Sequence, residues 1–439
     1  MTTLILEGSK YLMTFLMIFY AYLNFRFFGE RYDIRKLKLC RRQNVVMFLI
    51  HFLGYLSLYI SRGEDRILVF YGAQVLFFGL YLVLSRVFYR NISRLLLNNM
   101  CLLLSVGFLM LSRLNMERAV RQFAIVAVAA VLTWIIPFII DRVWQLSRIP
   151  WVYGGIGLIL LVAVCVAGTT SYGAKMSLEF QGISLQPAEF VKISYVFFVA
   201  TMFYRATNFK AVAATTAMAA AHVLVLVFSK DLGNALIFFL TYLFMLFVAT
   251  NNWFYLSAGL AAGCGAAAMA YQLFPHVQNR VAAWLDPWSD VADKGYQIAQ
   301  SLFAIGTGGW MGMGLDRGLP GKIPVVEKDF IISAIAEELG GLFAICLILI
   351  CLGCFLQFMM IATRMQAMFY KLIAFGLGCE YIVQVFLTVG GAFKFIPLTG
   401  MTLPLVSYGG SSVVGTFIVF AVIQGLYILK RNEEEDEKE

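Results

Sequence analysis

The run FYLSAGLAAGCGAAAMAYQLF, Phe254–Phe274, decides the fold because it contains no charged side chain. A helix needs about 20 apolar residues to span the hydrocarbon core of a bilayer, and this run has that length. Similar runs recur along the chain, which is 61% hydrophobic and 13% charged with a mean hydropathy of +0.80. This composition excludes an ordinary water-soluble fold, and no segments of alternating polarity indicate a membrane barrel. We predict an all-α fold, a polytopic transmembrane helical bundle.

The apolar runs predict about thirteen membrane-spanning helices. Their expected bounds are Leu4–Phe27, Val45–Ile60, Ile67–Phe88, Leu95–Leu111, Phe123–Ile140, Val152–Gly168, Phe190–Tyr204, Ala211–Phe228, Leu232–Ala249, Phe254–Phe274, Phe330–Leu356, Phe369–Gly390 and Ser407–Leu429. The division between the eighth and the ninth rests on the charged pair Lys230-Asp231.

The distribution of basic residues orients this bundle. The predicted loop Gly29–Asn44 is rich in Lys and Arg, and basic loops stay in the cytoplasm. By alternation the C-terminus with its acidic tail, residues 431–439, is also cytoplasmic. The N-terminus and the loops Pro275–Lys328 and Lys394–Pro404 then face outward. The basic loop also suits anionic lipid headgroups, although topology alone accounts for it.

Cysteine and histidine usage points away from disulfides and metal clusters. Seven of the eight cysteines fall inside predicted spans, where they behave as small apolar residues. Cys351 and Cys354 form a C-x-x-C without a second pair, and the three histidines are scattered. The formal charge of +9 reflects basic residues beside spans, so no nucleic-acid partner is predicted.

Three ionisable residues within or beside predicted spans are functional candidates, because a charge at membrane depth costs several kcal/mol. Glu189 and Lys192 stand three residues apart on one helix face. They form either a structural ion pair or part of a substrate cavity. Asp231 opens a helix, where capping explains it slightly better than a direct role.

The long outer connection after Phe274 is the next candidate, because connections longer than about 15 residues tend to be functional. The polar residues of interest in it include Arg280, Asp286, Tyr296, Gln297, Gln300 and Ser301. A glycine-rich run, Gly306–Gly321, follows no strand and lacks a G-K-[ST] ending, which excludes a nucleotide loop. The glycines would instead let the backbone fold closely over a cavity.

Asp329 closes this connection at the expected water–lipid boundary. A carboxylate there suits a general base that acts on a hydroxyl group. The competing interpretation, a helix N-cap, is favoured by position alone.

Several motifs occur in a fixed order across the chain. They are Gln186-Pro187-Ala188-Glu189 with Lys192, Asp231-Leu232-Gly233, Gly295-Tyr296-Gln297 with Gln300-Ser301, Asp329-Phe330-Ile331, Glu337-Glu338-Leu339-Gly340, and Pro397 to Gly400 followed by Pro404 to Ser412. With these motifs the chain resembles the SEDS family of shape, elongation, division and sporulation proteins, which includes RodA, FtsW and SpoVE.

The resemblance implies a ten-helix core over residues 95–430 with an outer loop at 275–328. It leaves a three-helix extension at 1–94, which the family does not explain. It also implies a peptidoglycan glycosyltransferase that polymerises lipid II at the outer face of the bacterial cytoplasmic membrane. Asp329 matches the essential aspartate of the family. The implied substrate cavity contains Glu189, Lys192, Asp231, Arg280, Tyr296, Gln297, Gln300, Ser301, Lys394, Ser407, Tyr408 and Ser411.

The resemblance further implies a class B penicillin-binding protein as partner, alongside lipid II and membrane lipids. No cofactor is certain, and assistance by a divalent cation, Mg²⁺ or Mn²⁺, stays open. The chain departs from the family where Glu327-Lys328 replaces the usual His-Thr before the aspartate. The role in division, elongation or sporulation is also open.

Three other functions are compatible with a polytopic chain. A lipid II flippase would use the same ionisable residues at membrane depth. A secondary transporter commonly shows internal repeats, and no convincing repeat is present. A non-catalytic scaffold of the cell-wall machinery would not need Asp329.

Overall fold

The computed structural model describes residues 2–142, 148–171, 174–180 and 183–437 and is predominantly helical. Over these residues, twelve helices are long and apolar enough to cross a membrane. The predicted class, a transmembrane helical bundle, is confirmed. The α-helices are α1 (Thr2–Gly29), α2 (Asp33–Arg62), α3 (Asp65–Phe88), α4 (Arg94–Leu114), α5 (Met116–Thr133), α6 (Ile135–Arg142), α7 (Pro150–Ala167), α8 (Ala188–Arg205), α9 (Phe209–Phe228), α10 (Leu232–Thr250), α11 (Trp253–Leu273), α12 (Pro275–Leu285), α13 (Tyr296–Gly308), α14 (Ile331–Glu338), α15 (Gly341–Arg364), α16 (Met368–Ala392) and α17 (Gly410–Asp436).

The difference between thirteen predicted spans and twelve concerns α8. The predicted span Phe190–Tyr204 does form a helix, but the 18 residues of α8 include Glu189, Lys192 and Arg205. These three charges keep it out of the apolar set. The helix instead packs among α7, α10 and α16, with Tyr195 and Phe198 fully buried. Protein therefore surrounds a helix that is too polar for lipid.

The prediction that Gly29–Asn44 forms a basic loop is wrong. Only residues 30–32 separate α1 from α2, and the basic residues from Arg35 to Arg42 lie on the first turns of α2. Lys and Arg are good helix formers, and no Gly or Pro interrupts this stretch. A hydropathy-based prediction therefore begins the helix too late.

The predicted helix Phe330–Leu356 is also wrong, because it breaks into α14 and α15 at Gly340. Gly340 has a φ of 98°, and a Cβ there would lie 2.5 Å from the Met311 carbonyl carbon. Only glycine tolerates this conformation and this close backbone approach. The break lets the chain from Gly309 to Gly312 pack directly against the end of α14.

The outer face has more regular structure than a long loop. It contains α12, α13 and a 3₁₀ turn at Pro320–Lys322. A small antiparallel sheet, which the sequence analysis missed, precedes α8. Its strands are β1 (Thr169–Ser171), β2 (Ala174–Phe180) and β3 (Ile183–Leu185) in the order β1-β2-β3.

The N-terminal helices pack tightly onto the rest of the bundle. Helix α1 contacts α15, and α2 contacts α4, which is buried over its whole apolar window. The Tyr20 hydroxyl donates to Asn99 Oδ1 at 3.1 Å, and Asn99 Nδ2 donates to Asn24 Oδ1 at 2.8 Å. Asn24 lies so close to Gly353 of α15 that a Cβ at position 353 would clash with the side-chain amide of Asn24. Buried hydrogen bonds thus fix the position of α1.

Candidate active site

A cavity of about 730 Å³ lies among α5, the small sheet, α12, α13 and the segments that precede α14 and α17. Asp329, Arg280 and Lys328 line it together with Gln297, Tyr408 and Ser411. These residues are far apart in sequence, and the packing of the outer loop against the segment before α17 brings them together. The volume is in the range of small-molecule binding sites.

Asp329 faces this cavity and does not cap α14. The N-cap position of that helix is Phe330, without a side-chain hydrogen bond. Among the described residues, none donates a hydrogen bond to the Asp329 carboxylate. Two contacts fix the preceding backbone: Tyr408 N donates to Glu327 O at 2.7 Å, and Ser407 Oγ donates to Lys328 O. The carboxylate is therefore presented to the cavity by a well-anchored backbone.

Burial raises the pKa of Asp329 from its usual value to about 6, against the opposing effect of the positive charges on Lys328 and Arg280. A carboxyl group with this pKa is mostly ionised at neutral pH, yet it is a stronger base than an exposed aspartate. Both properties suit general-base catalysis.

Arg280 and Asp329 both line the cavity, and the backbone of Gly400 lies between them. Arg280 Nη1 donates to Thr399 O at 3.3 Å. Gly400 has a φ of 76°, and a Cβ there would lie 3.7 Å from Asp329 Oδ2 and 4.0 Å from Arg280 Nη2. The absence of a side chain at Gly400 keeps the space between base and guanidinium accessible.

Positive charge dominates the polar lining of the cavity. Besides Arg280 and Lys328, the lining includes Arg121 and Lys294, and Asp329 is the one carboxylate among the described lining residues. The sequence analysis missed Arg121 and Lys294 as site residues, because neither belongs to a motif. Their basic character beside the outer loop was the available signal. Such a lining suits a ligand with several negative charges.

This donor set does not fit a protein-bound divalent cation. Mg²⁺ and Mn²⁺ prefer several oxygen ligands, usually including carboxylates. The cavity offers a single carboxylate with two cationic side chains beside it. The protein's own residues supply the positive charge here.

Several residues expected in the cavity lie outside its lining. They are Glu189, Lys192, Asp231, Tyr296, Gln300, Ser301, Lys394 and Ser407. Ser301 Oγ lies 2.7 Å from Ser333 Oγ and donates to Ala392 O at 2.8 Å. Lys394 O accepts from Trp284 Nε1 at 3.1 Å. These contacts support the backbone around the cavity.

Glu189 and Lys192 form a buried ion pair behind the cavity. The Lys192 ammonium lies 2.8 Å from Glu189 Oε2 and donates to Gln384 Oε1 at 2.8 Å. Glu380, which the sequence analysis missed, is buried in the same cluster. The geometry is that of a brace between α8 and α16.

Asp231 is the N-cap of α10, as its position suggested. Its carboxylate accepts from Asn234 N at 3.2 Å and from Asn234 Nδ2 at 2.8 Å. The capping interpretation is confirmed. Asp231 still contributes charge near the site: burial lowers the pKa of Arg280, and the negative charges of Asp329 and Asp231 oppose that effect.

A family model matches most of the chain. The model, named for FtsW, RodA and SpoVE and described as cell cycle protein, covers residues 86–432. The match begins within α3, so α1, α2 and most of α3 lie outside it.

Relatives with assigned names match a large part of the chain. The chain is 34% identical over 360 residues to the peptidoglycan glycosyltransferase RodA of Mycobacterium tuberculosis, covering 75% of this chain and 76% of that protein. It is also 34% identical over 271 residues to the probable peptidoglycan glycosyltransferase FtsW of Aliivibrio salmonicida, covering 59% and 67%.

Two solved structures share the fold. One belongs to a peptidoglycan synthase complex that coordinates polymerization and crosslinking, with a TM-score of 0.65, 24% identity and coverage of 79% of this chain and 99% of that one. The other is RodA of Thermus thermophilus, with a TM-score of 0.58, 22% identity and coverage of 76% and 96%.

Proposed function

Because this chain belongs to the FtsW, RodA and SpoVE family of cell cycle proteins, we propose that it polymerises lipid II with Asp329 as the catalytic base. Its enzyme class is that of the peptidoglycan glycosyltransferases, and it is a multi-pass membrane protein. The observation that carries the site assignment is the half-buried Asp329 carboxylate in a large cavity whose other charged residues are cations.

The chemistry requires one proton transfer and one substitution. Asp329 takes the proton from the 4-hydroxyl of the acceptor N-acetylglucosamine. The freed oxygen forms a bond to the anomeric carbon of the donor N-acetylmuramic acid and inverts it. The bond from that carbon to the lipid diphosphate breaks, and its electron pair leaves with the diphosphate. No second carboxylate is required as an acid, because the leaving group is already stable as an anion.

The cations of the cavity stabilise the charge that develops on the leaving group. Arg280 and Lys328 lie nearest to Asp329 in this arrangement, and Arg121 and Lys294 line the same space. Fixed positive groups in a partly dehydrated site lower the free energy of a transition state that gains negative charge. Gly400, which lies beside both Asp329 and Arg280, carries no side chain to fill the space near the base.

The direct test compares the purified full-length protein with its Asp329→Asn variant in a lipid II polymerisation assay. The asparagine keeps the shape of the side chain but cannot accept the proton. We expect at least a hundredfold loss of rate, since general-base catalysis contributes typically 10²–10⁴-fold. Ser289→Ala, a change on the exposed outer loop away from the cavity, is the control.

The result also separates the competing functions. Undiminished polymer from the folded Asp329→Asn protein contradicts the catalytic role. Translocation of lipid II in vesicles without any polymer from the wild-type protein indicates a flippase. If the Asp329→Asn protein supports growth of a strain depleted of the wild-type protein, a scaffold role is indicated.

We also propose the division of the chain into a three-helix extension at 1–94, a ten-helix core at 95–430 and a cytoplasmic acidic tail. A class B penicillin-binding protein is the proposed partner, since the core resembles a chain from a complex that couples polymerization to crosslinking. Co-purification with a tagged class B protein from the same membrane tests this pairing.

A further inference from the structure

The N-terminal helices reach the outer loop through charged side chains, although residues 1–85 lie outside the family match. At the end of α2, Arg62 Nη2 lies 2.8 Å from Asp316 Oδ1. The neighbouring Ser61 Oγ donates to Asp316 Oδ2 at 2.8 Å. Arg62 Nη2 also donates to Arg113 O at 2.6 Å. The last turn of α2 therefore holds both the loop and the end of α4.

Asp316 belongs to a cluster of two cations and two carboxylates. Arg113 Nε lies 2.8 Å from Asp316 Oδ1 and donates to Glu338 Oε1 at 2.9 Å. The Glu338 side chain is fully buried, and those of Arg113 and Asp316 are 15% and 16% exposed. With both carboxylates ionised, Arg62 and Arg113 together neutralise the cluster. Without Arg62, two carboxylates would share one arginine in a poorly hydrated place.

The titration of Asp316 agrees with this arrangement. Burial raises the pKa of its carboxyl group, but hydrogen bonds from Arg62 and Ser61 and the charge of Arg113 outweigh that effect and lower the pKa overall. The carboxylate is thus held in its charged form by partners from α2 and α4.

The cluster also fixes the backbone of the outer loop. Asp316 N donates to Glu338 Oε2 at 3.2 Å, and Gly314 N donates to Glu338 O at 2.9 Å. A second contact lies one residue further along, where Arg317 pairs with Glu7 of α1. Both N-terminal contacts therefore meet the same turn of the loop.

This loop leads directly to Asp329. Between the cluster and the base, Ile323 and Val326 are buried. The distal end is held by the backbone contacts of residues 407 and 408 described above. The segment 313–329 is therefore anchored at both ends, and α1 and α2 contribute to the first of these anchors together with Arg113 and Glu338.

We propose that α1 and α2 anchor the loop that carries the catalytic base, with Arg62 and Asp316 as positioning residues. This proposal rests on the function proposed above for Asp329. The helices then act on the reaction without touching the substrate, by restricting the loop to the conformation in which Asp329 faces the cavity.

The test uses full-length Arg62→Ala protein and two measurements. Polymerisation kinetics should show kcat reduced on the order of tenfold to a hundredfold, because small displacements of a catalytic group have large effects on rate. KM for lipid II should change less than about twofold, since the cavity lining is untouched. Hydrogen exchange should accelerate in residues 313–329 but not in α16.

The matched control is Arg66→Ala. Arg66 lies four positions further on, at the start of α3, and its side chain is exposed. Among the described residues it has no hydrogen-bond or ion-pair partner. We expect its kcat, KM and hydrogen exchange to equal those of the wild type.

Two further variants separate positioning from simple destabilisation. Arg62→Lys keeps one charge for Asp316 and should recover part of the lost kcat. In Arg62→Ala/Asp316→Asn the unpaired charge is gone, so its kcat should be no lower than that of Arg62→Ala alone, a non-additive result expected for directly coupled residues.

Unchanged hydrogen exchange in residues 313–329 of Arg62→Ala overturns the anchor. The anchor is also overturned if a smaller folded fraction fully explains the loss of kcat and if the effects of Arg62→Ala and Asp316→Asn on kcat simply multiply in the double variant. If the wild-type protein makes no polymer, the proposed function fails, but the exchange comparison still decides whether the helices hold the loop.

Discussion

The Asp329 carboxylate combines two opposing influences on its pKa, burial and the nearby cations Lys328 and Arg280. Burial dominates and raises the pKa to about 6. The protonated form cannot act as a base. Polymerisation should therefore fall from its plateau as the pH drops through about 6, with an acidic midpoint to which protonation of Asp329 contributes.

Replacing Lys328 by methionine should move that midpoint to higher pH. The Lys328 ammonium favours the ionised carboxylate, so its removal raises the pKa of Asp329 further. The measurement is the pH profile of kcat/KM for lipid II polymerisation. The comparison is made at the midpoint rather than at one pH, because loss of a cavity cation also lowers the plateau.

Lys322→Met serves as the control for this shift. Lys322 is an exposed cation on the same loop and does not line the cavity. Its replacement should leave the midpoint in place. If the acidic midpoint of the kcat/KM profile of Lys328→Met is unchanged or lies at lower pH, the electrostatic account is contradicted.

The approach to Asp329 shows how far single residues can be interpreted from sequence. The family motif predicted the aspartate as base, but nothing in the sequence says what Glu327 contacts. In the structure it pairs with Arg118 of α5, a residue distant in the chain. The position of Lys328 in the cavity was likewise not predictable, since it depends on contacts with residues 407 and 408.

At the scale of elements, the break between α14 and α15 was the largest error of helix prediction. Apolar residues continue on both sides of Glu337-Glu338 from Phe330 to Leu356, and this pattern favours one helix. Two glycines inside the pattern were the local signal of a break. The deciding factor is tertiary, because the chain at Trp310 and Met311 packs where a Cβ of Gly340 would lie.

Gly340→Ala should therefore destabilise the protein by about 2 kcal/mol or more. Part of the cost comes from the positive φ of 98°, which is unfavourable for residues with a Cβ by about 1–3 kcal/mol. The clash with the Met311 backbone adds to it. Thermal denaturation of the detergent-purified protein, followed by tryptophan fluorescence, measures the effect.

Gly306→Ala provides the comparison within the same region. Gly306 is helical, and a Cβ there meets no atom within 4 Å. Alanine should be neutral or stabilising by about 0.5–1 kcal/mol, since glycine is a poor helix former. Equal effects of the two substitutions would refute the account of the break.

The small sheet and α8 mark two other limits of element prediction. Strands β1 and β3 have three residues each, too short for a periodic signal. For α8 the helix itself was predictable, but its surroundings were not. Its ion pair is tolerated because α7, α10 and α16 enclose it, and this arrangement is visible only in the packed bundle.

For the whole molecule, the topology follows from the number of crossings. Among the described residues, twelve apolar helices and the enclosed helix α8 would give an odd number of crossings, with the two termini on opposite sides of the membrane. With the basic start of α2 in the cytoplasm, we propose an external N-terminus and a cytoplasmic C-terminus. Asp329 then lies on the external side.

Reporter fusions test this orientation. A green fluorescent protein fused after Glu439 should fluoresce, and alkaline phosphatase at the same place should be inactive. Alkaline phosphatase inserted after Asp293, in the exposed turn before α13, should be active. An active phosphatase at the C-terminus would show that one of the helices, α8 above all, does not cross.

The contact between Arg62 and Asp316 has a consequence for recombination between homologous genes. A homologue without α1–α3 has no counterpart of Arg62, so an aspartate at position 316 of its loop would compete with Glu338 for one arginine. Grafting this loop alone into such a homologue would introduce the Asp316 carboxylate without Arg62. Deleting α1–α3 from this protein would leave the same carboxylate without that partner. Recombination that separates the leading helices from the loop is therefore disfavoured, and the two should be exchanged between lineages as one unit.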